Sequence, residues 1–118
     1  MDATLTPAEF ARQAGEASRL LKIMANESRL LVLCYLAEEG ELSAGELTDR
    51  VGLSQSALSQ HLARLREEGL VATRKEAQSV FYRVCDPRAE QVLALLHQIY
   101  CPELGRETNP SLQAGEKA

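Results

Sequence analysis

Between Leu42 and Val84 the chain (LSAGELTDRVGLSQSALSQHLARLREEGLVATRKEAQSVFYRV) changes its periodicity twice, and that order constrains the fold more than any other feature. Ser43-Ala44-Gly45-Glu46 is a capping box, in which serine and glutamate satisfy each other's free backbone N–H groups. A short helix therefore opens there and closes near Val51-Gly52. Ser54 caps the next helix, which runs to Glu68 before Gly69. Val71–Lys75 and Ser79–Val84 are rich in β-branched and aromatic residues and read as strands. The connection Glu76-Ala77-Gln78 lacks a tight-turn signature, so a longer, mobile hairpin tip is expected.

The flanks supply helices. Thr6-Pro7-Ala8-Glu9 is a second capping box, with proline at the first helical position. Phe10, Ala14, Ala17, Leu21 and Met24 follow at spacings of four and three and form one apolar stripe. Asn26 caps a helix from Glu27 to about Glu39, ended by Gly40. It is apolar around most of its circumference (LLVLCYLA), which predicts a place at the centre of the core. Asp86-Pro87 opens a last helix that extends to about Tyr100. Beyond Cys101 the segment PELGRETNPSLQAGEKA has two prolines, two glycines and few large apolar residues. The expected organisation is a flexible N-terminus (1–5), one folded domain (6–101) and a flexible tail (102–118).

Helix, glycine turn, helix and hairpin in this order outline a winged helix-turn-helix, mostly α with a small β-hairpin wing. Such a shape places one helix in the major groove of DNA. A chain of 118 residues holds one core and is small enough to gain from a partner. No secretory signal is visible at the acidic N-terminus, and the longest apolar run, Leu30 to Ala37, is too short to span a bilayer. A cytoplasmic location, with no membrane partner, is the expectation. Three cysteines in a reducing compartment should rest as thiols.

The net charge of −4 suits a DNA binder only once it is partitioned. From Ser54 to Arg83 the cations Arg64, Arg66, Arg74, Lys75 and Arg83 face the anions Glu67, Glu68 and Glu76, a net of +2 that leaves −6 for the remainder. A basic reading surface on an acidic body attracts phosphate locally while limiting non-specific binding.

On the Ser54–Glu68 helix, Leu58, Leu62 and Leu65 fall within about 60° of one another and form its inner face. Ser56, Gln60, Ala63, Arg64 and Glu67 lie opposite, with Ser59 on one flank. Gln60 suits adenine N6/N7, and the serines suit phosphates or base edges. Ser54, Gln55 and the free first-turn N–H groups sit where a phosphate could dock. His61, on the border, either meets a phosphate or seals the core edge. Arg74, Lys75 and Gln78 on the hairpin are candidate phosphate or minor-groove contacts.

Met24-Ala25-Asn26-Glu27-Ser28-Arg29, SQSALSQHLARLREEGLV and RKEAQSVFYRV together resemble the ArsR/SmtB family of winged-helix repressors, over about Ala17 to Cys101. The resemblance implies a homodimer on double-stranded operator DNA, with the first and last helices at the interface. The apolar stripe of the Phe10–Met24 helix and the face of Val92, Leu95, Leu96 and Ile99 are consistent with that role, although periodicity alone allows ordinary core. It also implies release of DNA by an inducer at a remote site. Metal-sensing members carry a Cys-x-Cys type motif leading into the recognition unit, whereas GELTDRVG here has neither cysteine nor histidine. Zinc-type members carry Asp and His early in the last helix, then His and Glu late in it. This chain has Asp86 and His97, but Arg88 and Tyr100 stand where further ligands are needed, so no metal or other cofactor is expected.

Cys34 and Cys101 are placed as in the thiol-switch subgroup of the family. That resemblance implies that persulfides or oxidants link the pair through a disulfide or a polysulfide, which releases the operator. Cys85, with a strand position, has no counterpart there. One cysteine must then be accessible as a thiolate, with Lys22, Arg29 or His97 as candidate stabilising cations. The alternative is a metalloid-sensing repressor with Cys34, Cys85 and Cys101 around a soft ion such as As(III). An enzyme is not expected, because neither Cys34 nor Cys101 has an evident oxyanion device or base-orienting partner for use with His61 or His97.

Overall fold

Each of the five helices begins where a short polar side chain accepts a hydrogen bond from a free first-turn N–H. Thr6 opens α1 (Pro7–Met24), Asn26 opens α2 (Glu27–Glu39), and Ser43 opens α3 (Ala44–Val51) after a two-residue strand β1 (Leu42–Ser43). Ser54 opens α4 (Gln55–Glu67), and Asp86 opens α5 (Pro87–Tyr100) after strands β2 (Val71–Glu76) and β3 (Ser79–Val84). A computed structural model describes these elements for residues 4–101. The tail expected at 102–118 lies outside the described residues.

The fold is a mostly helical winged helix-turn-helix. Its sheet is antiparallel with strand order β1-β3-β2. Leu42 pairs with Tyr82 and Ser43 with Phe81 on one edge of β3. The sequence reading missed β1, because two residues carry no period. β2 pairs along the other edge of β3, from Val71 opposite Val84 to Glu76 opposite Ser79.

That register corrects the expected long hairpin tip. Only Ala77 and Gln78 lie between the last paired residues, and Ala77 takes the left-handed conformation with φ 56°. Six consecutive cross-strand pairs set the loop length, and turn propensity yields to them.

α2 packs against α1, α3, α4, α5 and β3. Its Val32, Leu33 and Leu36 are buried with Leu47 of α3, Leu58, Leu62 and Leu65 of α4, and Leu93 of α5. α2 thus takes the central place that its apolar circumference predicts, yet Leu31 and Cys34 are exposed, which leaves one flank of the helix open. The α1 stripe lies mostly outside the core of the single chain. Of its residues only Met24 is buried, alongside Leu20 and Ile23, while Phe10 is 67% exposed and Leu21 52%. Only the last turns of α1 reach the core.

Candidate nucleic-acid interface and cysteine groove

Two caps and one glycine hold the reading helix. Ser43 Oγ accepts from Glu46 N–H, and Glu46 Oε1 accepts from Ser43 N–H at 2.8 Å. Gly52, at φ 75°, ends α3 in the left-handed region that an L side chain resists. Ser54 Oγ then accepts from Ala57 N–H at 3.1 Å to start α4. Leu58, Leu62 and Leu65 anchor α4 from beneath. Ser54, Gln55, Ser56, Ser59, Gln60 and Arg64 are all exposed, and His61 is half-buried at the border. Arg64 leans back toward Glu68, with Nε 3.7 Å from its carboxylate.

On the wing, Lys75 and Gln78 are exposed, and Lys75 has no ion pair among the described residues. Arg74 differs. Its Nε donates to both carboxylate oxygens of Glu41 at 3.0 Å, its Nη1 to Glu76 at 2.7 Å, and its guanidinium lies 4.7 Å from the Phe81 ring centroid. These hydrogen bonds push its pKa above the ordinary arginine value, and Arg74 holds the Glu41 carboxyl below the usual carboxylate range. Arg74, expected as a phosphate or minor-groove contact, is held by two carboxylates in the structure without DNA. Glu38, Glu39 and Glu41 were not singled out from sequence, although the compact Glu-Glu-Gly-Glu run was visible there.

The open flank of α2 faces α5 across a groove of about 770 Å³. Its walls are largely apolar, with Leu30, Leu36, Leu93, Leu96 and Tyr100, and both Cys34 and Cys101 line it. All three cysteines are free thiols. Burial pushes the Cys34 thiol pKa up, and the neighbouring Cys101 and Glu38 push it further. The expected stabilising cations do not serve it. Arg29 Nε donates to the Ile23 carbonyl at 2.8 Å, Lys22 is exposed in the last turn of α1, and His97 Nε2 faces Glu38 at 3.8 Å.

Cys85 lies one residue beyond β3, where its thiol donates to the Gly69 carbonyl at 3.4 Å, and it does not line the groove. The three-thiolate metalloid site is therefore not assembled: among the described residues no three His, Cys, Asp or Glu side chains converge. Asp86 caps α5 and binds Arg88, with Nη2–Oδ2 at 2.9 Å, which holds its carboxyl below the usual range. No helix among the described residues is long and apolar enough to cross a membrane.

A capped helix pair followed by a short antiparallel wing defines a winged-helix DNA-binding protein. Residues 26–73 match the family described as bacterial regulatory protein, arsR family. The chain is 55% identical to the transcriptional activator HlyU of Vibrio cholerae over 93 residues, which is 79% of this chain and 85% of that protein. It superposes on the structure described as reduced HlyU from Vibrio cholerae with a TM-score of 0.75, covering 79% of this chain and 97% of that one. The transcriptional repressor BigR from Xylella fastidiosa superposes with a TM-score of 0.74 at 39% identity, covering 82% and 98%. The chain belongs to the ArsR family and is a DNA-binding transcriptional regulator.

Proposed function

We propose that this regulator grips its operator as a homodimer and lets go when Cys34 and Cys101 become covalently linked. The observation that carries the reading is the shared groove: both thiols line it, and Cys101 is near enough to raise the pKa of Cys34. Similarity to a HlyU structure described as reduced supports the same reading.

The proposed inducer is a persulfide or another two-electron oxidant. A persulfide RSSH hands its outer sulfur to one cysteine thiolate, and RSH leaves after protonation. The second thiolate attacks the sulfur bonded to the first cysteine's Cβ and expels hydrosulfide, leaving a disulfide. A peroxide oxidises one thiolate to a sulfenic acid, and the second thiol displaces water from it. Either route ties α2 to the end of α5. In the dimer two recognition helices must sit about 34 Å apart, so a shift of α5 spoils their register. Gln60 and the α4 N-terminus read bases and phosphates, with Arg64, Lys75 and Gln78 on the backbone.

The test is operator binding by fluorescence anisotropy with reduced, persulfide-treated and peroxide-treated protein, with mass spectrometry of the cysteine products. Cys34→Ser and Cys101→Ser should bind DNA and ignore the inducer, while Cys85→Ser responds normally. Release by treated Cys34→Ser, with loss of response in Cys85→Ser, would show the assigned pair to be wrong.

A further inference from the structure

Three carboxylates follow one another through the turn that ends α2, and each reaches a different element. Glu38 meets His97 of α5 at 3.8 Å. Glu39 takes both Arg50 Nε and Nη2 of α3, at 2.8 and 2.9 Å. Past Gly40, whose φ of 91° turns the chain, Glu41 takes Arg74 of β2.

The last pair has an unusual span. β1 and β2 are not neighbours; β3 lies between them. Glu41 immediately precedes β1, and Arg74 stands opposite Phe81 of β3, with its guanidinium over that ring. The Glu41–Arg74 clasp thus reaches across the middle strand and ties one edge of the small sheet to the other. A single exposed ion pair contributes little, but an Nε–H shared by both oxygens of Glu41, with a second carboxylate on Nη1 and a ring beneath, is a network. Turning Arg74 toward a phosphate would strip the countercharge from Glu41 and Glu76 beside an already anionic ligand.

We propose that Glu41, acting through Arg74, is a positioning residue that fixes the angle of the wing on DNA, and that Arg74 is not itself a phosphate contact. This rests on the reading that the wing touches DNA.

The proposal reverses the sign that charge alone predicts. Removing a carboxylate near the DNA should tighten binding if only long-range electrostatics matters. If Glu41 holds the wing, Glu41→Gln weakens operator binding, by about three- to fivefold for the loss of such a network. Glu41→Asp keeps the charge, shortens the arm and weakens binding as well, so the test survives poor folding of the glutamine variant. In an Arg74→Gln background, Glu41→Gln adds no further loss. The slope of log affinity against log salt stays at the wild-type value in all three variants, because no phosphate contact is removed.

The experiment is anisotropy titration of operator over a salt series, with melting curves for each variant and Lys75→Gln as the report on wing contact. Tighter or unchanged binding by both Glu41 variants overturns the proposal. So does a salt slope lowered by about 0.9 in Arg74→Gln, the mark of a lost phosphate contact. If Lys75→Gln lowers the slope while the Glu41 variants bind normally, positioning alone has failed. If Lys75→Gln and the Glu41 variants all bind as wild type, wing contact and positioning fall together.

Discussion

His97 of α5 faces Glu38 of α2, Nε2 to Oε1 at 3.8 Å, within the groove that holds Cys34 and Cys101. The carboxylate engages the histidine that could have steadied a thiolate, and it adds its own charge to the causes that raise the Cys34 pKa. Burial and the neighbouring charges of Cys101 and Glu38 all disfavour the Cys34 thiolate.

Glu38→Gln should lower that pKa toward the ordinary thiol value, because one of its raising causes is removed. Burial, the largest cause, remains, so the shift is partial. The reactive species is the thiolate, so the alkylation rate of Cys34 at neutral pH should rise severalfold. Iodoacetamide labelling across pH, followed by mass spectrometry of the Cys34 peptide, measures it. An unchanged rate profile would remove Glu38 from the account.

On α4, Gln60→Ala and Arg64→Ala should both weaken operator binding, in distinguishable ways. Gln60 is exposed opposite the leucine anchor, and loss of a base contact there costs about 1–3 kcal/mol and relaxes specificity at one position. Arg64 lies further along, and its loss should weaken all sequences alike and lower the salt slope by about 0.9. Anisotropy against operator and scrambled duplexes separates the two. Undiminished affinity in both folded variants would mean that the reading face is misassigned.

The helices were legible because their boundaries are local chemistry. Thr6 with Glu9 and Ser43 with Glu46 are reciprocal pairs three residues apart, and both form as read. The leucines of α4 were legible for the same reason, since helical period alone brings Leu58, Leu62 and Leu65 to one face. What sequence could not reveal depends on partners distant in the chain. Arg74 reads as a free wing cation until Glu41, 33 residues away, is brought beside it. Lys22 and Arg29 read as candidate cations for one of the cysteines, but a helix points its side chains in fixed directions, and Arg29 turns to the Ile23 carbonyl. The α1 stripe from Phe10 was periodic as read, yet period says that a face is apolar and not what covers it.

Ala77 tests how the tight wing turn is maintained. Its φ of 56° places a Cβ in the left-handed region, at a cost of about 1–2 kcal/mol for a non-glycine residue. Ala77→Gly should relieve that strain, partly offset by the greater freedom of glycine in the unfolded chain, for a net gain of about 0.5 kcal/mol. Ala77→Val should destabilise, because a β-branched residue resists this conformation more strongly. Urea denaturation at fixed protein concentration reads both, as shifts of the midpoint without a change of slope. A stabilised valine variant would show that the turn does not hold this conformation.

The apolar faces left open on the terminal helices carry the last prediction. Leu95 and Ile99 of α5 are 56% and 57% exposed, and Phe10 and Leu21 of α1 are exposed as well. Four large apolar side chains on two helices suit a two-fold contact between copies, in which the same patch serves both partners. The protein should sediment as a dimer at micromolar concentration. Leu95→Glu places a carboxylate in that contact, twice by symmetry, and should shift the protein to monomer while its helical circular dichroism persists, since Leu95 is not part of the buried core. Operator affinity should fall with it, because one monomer reaches only one half-site. Sedimentation velocity on both proteins decides the matter: a monomeric wild type removes the dimer, and a dimeric Leu95→Glu variant moves its interface off α5.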